Sequence, residues 1–108
     1  MINMTLSVTE KDRLLNHAQQ VVIELLKSTK SKKISIKLRT LLRYAYISYI
    51  RKTFDLNMLR GLVPRIKPPY RYTNQYVYRD LENMLRKNFN VILEKRRQYT
   101  YATFYKKI

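Results

Sequence analysis

Residues 8–27 read VTEKDRLLNHAQQVVIELLK, in which the apolar side chains recur at three- and four-residue spacing. That spacing forms one apolar stripe along a helix of about 18–20 residues. Ser7 and Glu10 stand three residues apart, as in a capping box, and they predict where the helix begins. His17 lies on another face without a partner at helical spacing, which favours a surface histidine over a catalytic base.

Two later segments show the same helical periodicity. Residues 34–54 predict a second helix, whose wide apolar sector is typical of a central helix or of one covered by a partner. Residues 74–97 predict another helix, with Thr73 or Asn74 as its N-cap. A short helix is also predicted just ahead of Pro64, which ends it.

Two other segments are predicted to be a proline strap and a C-terminal arm. Pro68 and Pro69 forbid a helix and predict a strap over residues 64–73. Residues 98–108 have alternating aromatic side chains and are predicted as a C-terminal arm, which either extends like a strand or continues the helix. We therefore expect an all-α fold in which residues 1–108 form one helical domain, a helical hairpin crossed by a third helix.

The composition excludes several kinds of active site. The chain has 108 residues, no cysteine, one histidine and one glycine. These counts leave no disulfide framework, thiolate zinc site, cysteine nucleophile or glycine-rich phosphate loop. Asp80 and Glu82 are close in sequence, but residues two apart on a helix do not face each other. We therefore expect a protein that is not an enzyme and that carries no cofactor or metal.

The charge is strongly positive, since 23 Lys and Arg stand against 7 Asp and Glu for a net charge of +16. Residues 27–108 hold 21 of the cations and four of the acids, a net of +17. Such a field attracts RNA, DNA, an anionic membrane or an acidic protein. Because self-repulsion destabilises a small core, we expect a single copy of the chain within a larger assembly. No apolar run is long enough to predict a membrane span, which leaves a membrane-surface role as a third interpretation.

The leading interpretation is a non-catalytic structural subunit of a ribonucleoprotein, foremost a ribosome, in the mitochondrion or alternatively in the cytoplasm. Cations beside aromatic residues suit RNA, because phosphate pairing and base stacking then act together. The predicted phosphate-binding residues are Lys30, Lys32, Lys33, Lys37, Arg39, Arg43, Arg65, Lys67, Arg71, Arg96, Arg97, Lys106 and Lys107. The predicted base-stacking residues are Tyr70, Tyr72, Tyr99 and Tyr101.

An alternative interpretation rests on a short motif. Val77, Tyr78 and Arg79, followed by Leu81, resemble the Leu-Tyr-Arg motif of the LYR family of small mitochondrial proteins. Phe104 stands 25 residues after Arg79, where the family also has a phenylalanine. The resemblance implies an adaptor or accessory subunit of a respiratory or assembly complex, docked to the acidic acyl carrier protein. It also implies that Tyr78 and Arg79 meet this partner and that Phe104 frames the tunnel for its acyl chain.

Overall fold

The structure is a computed structural model and describes residues 7–106. Its helices and strands, in chain order, are α1 (Val8–Ser28), β1 (Lys33–Lys37), α2 (Leu38–Arg51), α3 (Leu56–Leu62), α4 (Gln75–Asn88), β2 (Val91–Arg96) and β3 (Tyr99–Tyr105). A short 3-10 helix at Tyr70–Tyr72 precedes α4. The strands form one antiparallel sheet in the order β1-β3-β2, so β3 is central and the helices pack on one face of the sheet.

The prediction of an all-α fold is wrong, because three segments predicted as helix or arm form this sheet. The first is β1, which reads Lys-Ile-Ser-Ile-Lys. Ile34 and Ile36 pack against the core while the residues between and beside them point the other way, which is the two-residue period of a strand. The helix predicted over residues 34–54 is therefore shorter, since α2 begins at Leu38 and ends at Arg51.

The other two strands replace the end of the helix predicted over residues 74–97 and the C-terminal arm predicted over residues 98–108. α4 ends at Asn88, whose side-chain amide donates to the carbonyl oxygen of Met84 at 2.9 Å. β2 and β3 then pair as a hairpin whose turn contains Arg97 with a positive φ of 55°. β3 also pairs with β1, far earlier in the chain, and local periodicity carries no sign of that pairing.

The core lies between the helices and the covered face of the sheet. α1 packs against α2 and α4, and α2 packs against β3. The inaccessible apolar residues include Leu14, Ala18, Val21, Val22, Leu41, Leu42, Ile47, Leu59, Leu81, Leu85, Ala102 and Phe104. Lys11 Nζ lies 2.6 Å from the carboxylate of Asp80, and this ion pair joins α1 to α4. The hydrogen bond from Lys11 holds the pKa of Asp80 below its usual value.

The proline strap lies against the helices and does not extend away from them. Pro68 is buried, and the ring of Tyr72 packs on that of Tyr46 with centroids 4.8 Å apart. The Tyr72 hydroxyl donates to a carboxylate oxygen of Glu10 at 3.4 Å, which connects the strap to the first turn of α1. The extended strap expected over residues 64–73 is therefore a packed segment that ends in a 3-10 turn.

His17, expected at the surface, is half-buried where α1 meets α2. Its Nδ1 lies 2.8 Å from Ser48 Oγ, and its ring stacks on Phe54 at a centroid distance of 4.9 Å. Burial lowers the pKa of His17, because the charged imidazolium loses contact with water.

We expect the protein to lose stability as the pH falls below about 6.5, the ordinary pKa of histidine. The unfolded chain takes up a proton at His17 near pH 6.5, whereas the folded chain resists protonation until the pH reaches the lowered pKa. The stability that comes from the neutral ring is therefore complete above pH 6.5 and is lost as the pH falls through the lowered pKa. Thermal melts of the wild type and of His17→Gln measure this, and the variant should show the smaller change in Tm. Equal changes in both proteins would contradict the prediction.

Candidate nucleic-acid interface

The side chains of the sheet that point away from the helices form a surface that we call the open face. On the central strand these are Tyr99, Tyr101, Thr103 and Tyr105, all of them half-buried. The alternate residues of the same strand point into the core. Because side chains alternate along a strand, three tyrosines lie on one side of β3, along the middle of the sheet.

Cations flank these tyrosines on both neighbouring strands. The cations of the open face are Lys33, Lys37 and Arg96. Lys37 Nζ lies 4.5 Å from the centroid of the Tyr99 ring, and Arg96 Cζ lies 5.0 Å from the centroid of the Tyr101 ring. Glu94 also lies on this face and pairs with Arg96 at 3.2 Å. The open face therefore combines aromatic rings with a net positive charge.

A basic cleft lies next to the open face. Arg39 and Arg43 of α2, Lys67 of the strap and Tyr78 of α4 line the same cavity of about 250 Å³. Arg39 and Arg43 are four residues apart, so they share one face of α2 and repel each other. Among residues 7–106, no carboxylate forms an ion pair with any of the three cations. Glu82 lines another cavity with Arg39 and Tyr78, but its carboxylate lies 3.6 Å from Arg86, so the basic cleft keeps a net positive charge.

A second cavity, of about 270 Å³, is lined by residues of both the basic cleft and the open face. Its lining residues are Lys37, Arg39, Thr40, Arg43 and Tyr99. Lys37 and Tyr99 belong to the open face, and the two arginines belong to the basic cleft. The open face and the basic cleft therefore lie side by side and share the lining of this cavity.

The remaining predicted phosphate-binding residues lie elsewhere. Five are exposed: Lys30 and Lys32 ahead of β1, Arg65 and Arg71 in the strap, and Arg97 in the hairpin turn. Lys106 is half-buried, and its Nζ donates to the carbonyl oxygen of Thr29 just after α1. Lys107 falls outside the described residues. The structure thus brings Lys33, Lys37 and Arg96 together on the open face, and Arg39, Arg43 and Lys67 together in the cleft.

The four tyrosines predicted to stack on bases divide between the sheet and the strap. Tyr99 and Tyr101 lie on the open face, whereas Tyr70 is 62% exposed on the strap. Tyr72 is 6% exposed and packs against the helices, so its ring is closed to a base. The sequence prediction missed Tyr105, which shares the two-residue period of Tyr99 and Tyr101 and follows once the tail is read as a strand.

The residues of the LYR resemblance lie mostly inside the protein. Val77, Leu81 and Phe104 are at most 1% exposed and belong to the core. Tyr78 is half-buried and lines the basic cleft, and burial raises its pKa. Arg79 is exposed, and its Nε lies 3.5 Å from the carboxylate of the next residue. Of the five residues, Arg79 is the one whose charged side chain reaches the surface.

No family model matches this chain, and neither does any curated protein or solved structure. A function for this chain is therefore inferred from the residues on its surface. Within residues 7–106, no helix has both the length and the apolar character that crossing a membrane requires. The same range contains no group of three or more His, Asp or Glu placed to bind a metal ion.

Proposed function

We propose that this protein is a non-catalytic subunit of a ribonucleoprotein and holds single-stranded RNA across the open face. The observation that carries the proposal is the set of Tyr99, Tyr101 and Tyr105 along the central strand, with cations on both neighbouring strands. Aromatic rings on a sheet stack on bases, and cations beside them pair with phosphates. One surface therefore offers partners to both parts of a nucleotide.

Base stacking is strong enough to replace the contacts that the rings make in the free protein. Lys37 lies over Tyr99 and Arg96 lies over Tyr101, and contacts of this kind contribute about 0.5–1 kcal/mol each. A base stacked on an aromatic ring contributes about 1–3 kcal/mol. RNA therefore gains free energy by taking the ring faces, and the displaced cations stay within reach of its phosphates.

The proposal includes residence as a single copy in a larger assembly, foremost a ribosome. A net charge of +16 on 108 residues supports this, because surrounding RNA would neutralise the self-repulsion. The proposed location is the mitochondrion, with the cytoplasm as the alternative. Purification of the tagged protein with and without nuclease tests this assembly. Partners lost to nuclease support it, whereas a surviving set that contains acyl carrier protein would instead support the LYR-like adaptor.

Replacing Tyr101 with threonine is expected to weaken binding of a single-stranded RNA of about 12 nucleotides roughly tenfold. Threonine is a good strand former, so the change removes the ring and keeps a side chain suited to the sheet. Fluorescence anisotropy with labelled oligouridine measures the affinity. Tyr101→Phe keeps the ring and should retain binding.

Tyr76→Thr is the matched control, since Tyr76 is an exposed tyrosine of α4 that lies off the open face. It should leave the affinity nearly unchanged. Thermal melts of all the variants show whether a loss of binding comes from unfolding. An unchanged affinity in Tyr101→Thr, or an equal loss in both threonine variants, would contradict binding on the open face.

A further inference from the structure

The basic cleft has more positive charge than an internal phosphate of RNA balances. Arg39, Arg43 and Lys67 supply three positive charges, and no carboxylate within residues 7–106 pairs with them. An internal phosphodiester carries one negative charge, whereas a phosphate monoester carries about 1.5 to 2 at neutral pH. The charge of the cleft therefore matches a monoester better than it matches a diester.

Tyr78 adds a hydrogen-bond donor to these cations. Its side chain lines the same cavity as the two arginines, and its hydroxyl has no hydrogen-bond partner among the described residues. Burial raises the pKa of Tyr78 although the nearby Arg39 and Arg43 act in the opposite direction, so the hydroxyl keeps its proton at neutral pH. A protonated hydroxyl beside two guanidinium groups is suited to an anionic oxygen ligand.

We propose that the basic cleft binds a terminal phosphate monoester of the RNA strand, with Arg39, Arg43 and Lys67 as its cations and Tyr78 as its hydrogen-bond donor. This inference rests on the proposed function, because it needs the strand to lie on the open face. Tyr99 of the open face and Arg39 of the basic cleft line one cavity. The phosphate of a terminal nucleotide that stacks on Tyr99 can therefore enter the basic cleft. The strand then has one defined orientation, with its phosphorylated end at the cleft.

The test compares one oligouridine in three forms: with a 5′-phosphate, with a 3′-phosphate, and with hydroxyl groups at both ends. We expect one phosphorylated form to bind about tenfold more tightly than the hydroxyl form. Equal affinities of the three forms would overturn this proposal and leave the proposed function intact, because the hydroxyl form still reports on the open face. Failure of all three forms to bind would overturn the proposed function.

Variants then locate the phosphate. Arg39→Gln combined with Arg43→Gln should bring the affinity ratio of the phosphorylated and hydroxyl forms close to one, and Tyr78→Phe should reduce that ratio. The charge-matched control combines Arg13→Gln with Arg51→Gln, two exposed arginines of α1 and α2, and should preserve the ratio. A ratio that survives the change of both cleft arginines would overturn the assignment of the cleft.

Inorganic phosphate has the same charged group as the phosphorylated end of an RNA strand. Calorimetry distinguishes binding of these two ligands. Inorganic phosphate should bind the wild-type protein much more weakly than the phosphorylated strand, because it lacks the bases that stack on the open face. Inorganic phosphate that binds as tightly as the phosphorylated strand would overturn the assignment of the cleft to a strand end.

Discussion

Phe104→Ala is expected to lower the free energy of unfolding by about 3–5 kcal/mol. Phe104 is fully buried in β3, and its ring meets that of Phe89 edge to face at a centroid distance of 5.7 Å. The smaller side chain leaves a cavity that the central strand cannot close, because β1 and β2 hold it on both sides. A domain of this size has a total stability of about 5–15 kcal/mol, so one substitution removes a large share of it.

Urea unfolding followed by circular dichroism measures the loss. Tyr105→Ala is the matched control, since this neighbouring aromatic residue lies on the open face and outside the core. Its replacement should cost about 1 kcal/mol or less. A loss of similar size for Phe104→Ala would contradict the position of β3 in the core.

Raising the salt concentration from about 50 mM to about 200 mM is expected to weaken binding of single-stranded RNA roughly a hundredfold. The reason is the release of counterions when protein cations neutralise phosphates, which gives a logarithmic slope of about −0.7 for each phosphate of a single strand. Neutralisation of about five phosphates accounts for the expected loss. For a strand with hydroxyl groups at both ends, which leaves the cleft without a terminal phosphate, the cations placed to do so are Lys33, Lys37, Arg39, Arg43, Lys67 and Arg96.

Anisotropy titrations at several salt concentrations measure this slope. Lys33→Gln combined with Lys37→Gln should make the slope shallower by about 1.4, which corresponds to two phosphates. The control that changes Arg13 and Arg51 to glutamine removes the same charge at exposed helix positions outside the open face and the basic cleft, and it should leave the slope nearly unchanged. A flat dependence on salt in the wild type would contradict phosphate binding.

Periodicity alone is enough to locate α1. The helix predicted over residues 8–27 runs from Val8 to Ser28, and the backbone N–H of Glu10 donates to Ser7 Oγ at 3.1 Å as the capping box predicts. The apolar stripe repeats over several turns of helix. A strand, whose side chains alternate with a period of two residues, does not produce an apolar pattern of that length.

The strands are too short for the same reasoning. β1 has five residues, and Ile34 lies four positions before Leu38, so it fits a helical stripe as well as a strand. The pairing of Ile34 with Phe104 decides between the two, and this partner lies 70 residues away in sequence. Local patterns cannot contain that information, because it depends on how the whole chain folds.

The candidate site is predictable in its parts but not in its arrangement. Residue types identify Lys37, Arg96, Tyr99 and Tyr101 as suited to RNA, yet their order along the chain does not show that they share one face. The register of β3 with β1 and β2 provides that arrangement. Tyr78 joins the basic cleft in the same way, through tertiary structure that its neighbours in sequence do not reveal.

The central position of β3 has a consequence for synthesis of the protein. β3 follows β1 and β2 in the chain but lies between them in the sheet. A ribosome that has not yet added Tyr99 therefore carries a nascent chain whose two earlier strands have no partner, and unpaired strand edges promote aggregation. The sheet therefore cannot form until β3 has been synthesised, and a stop codon before Tyr99 removes the pairing of all three strands.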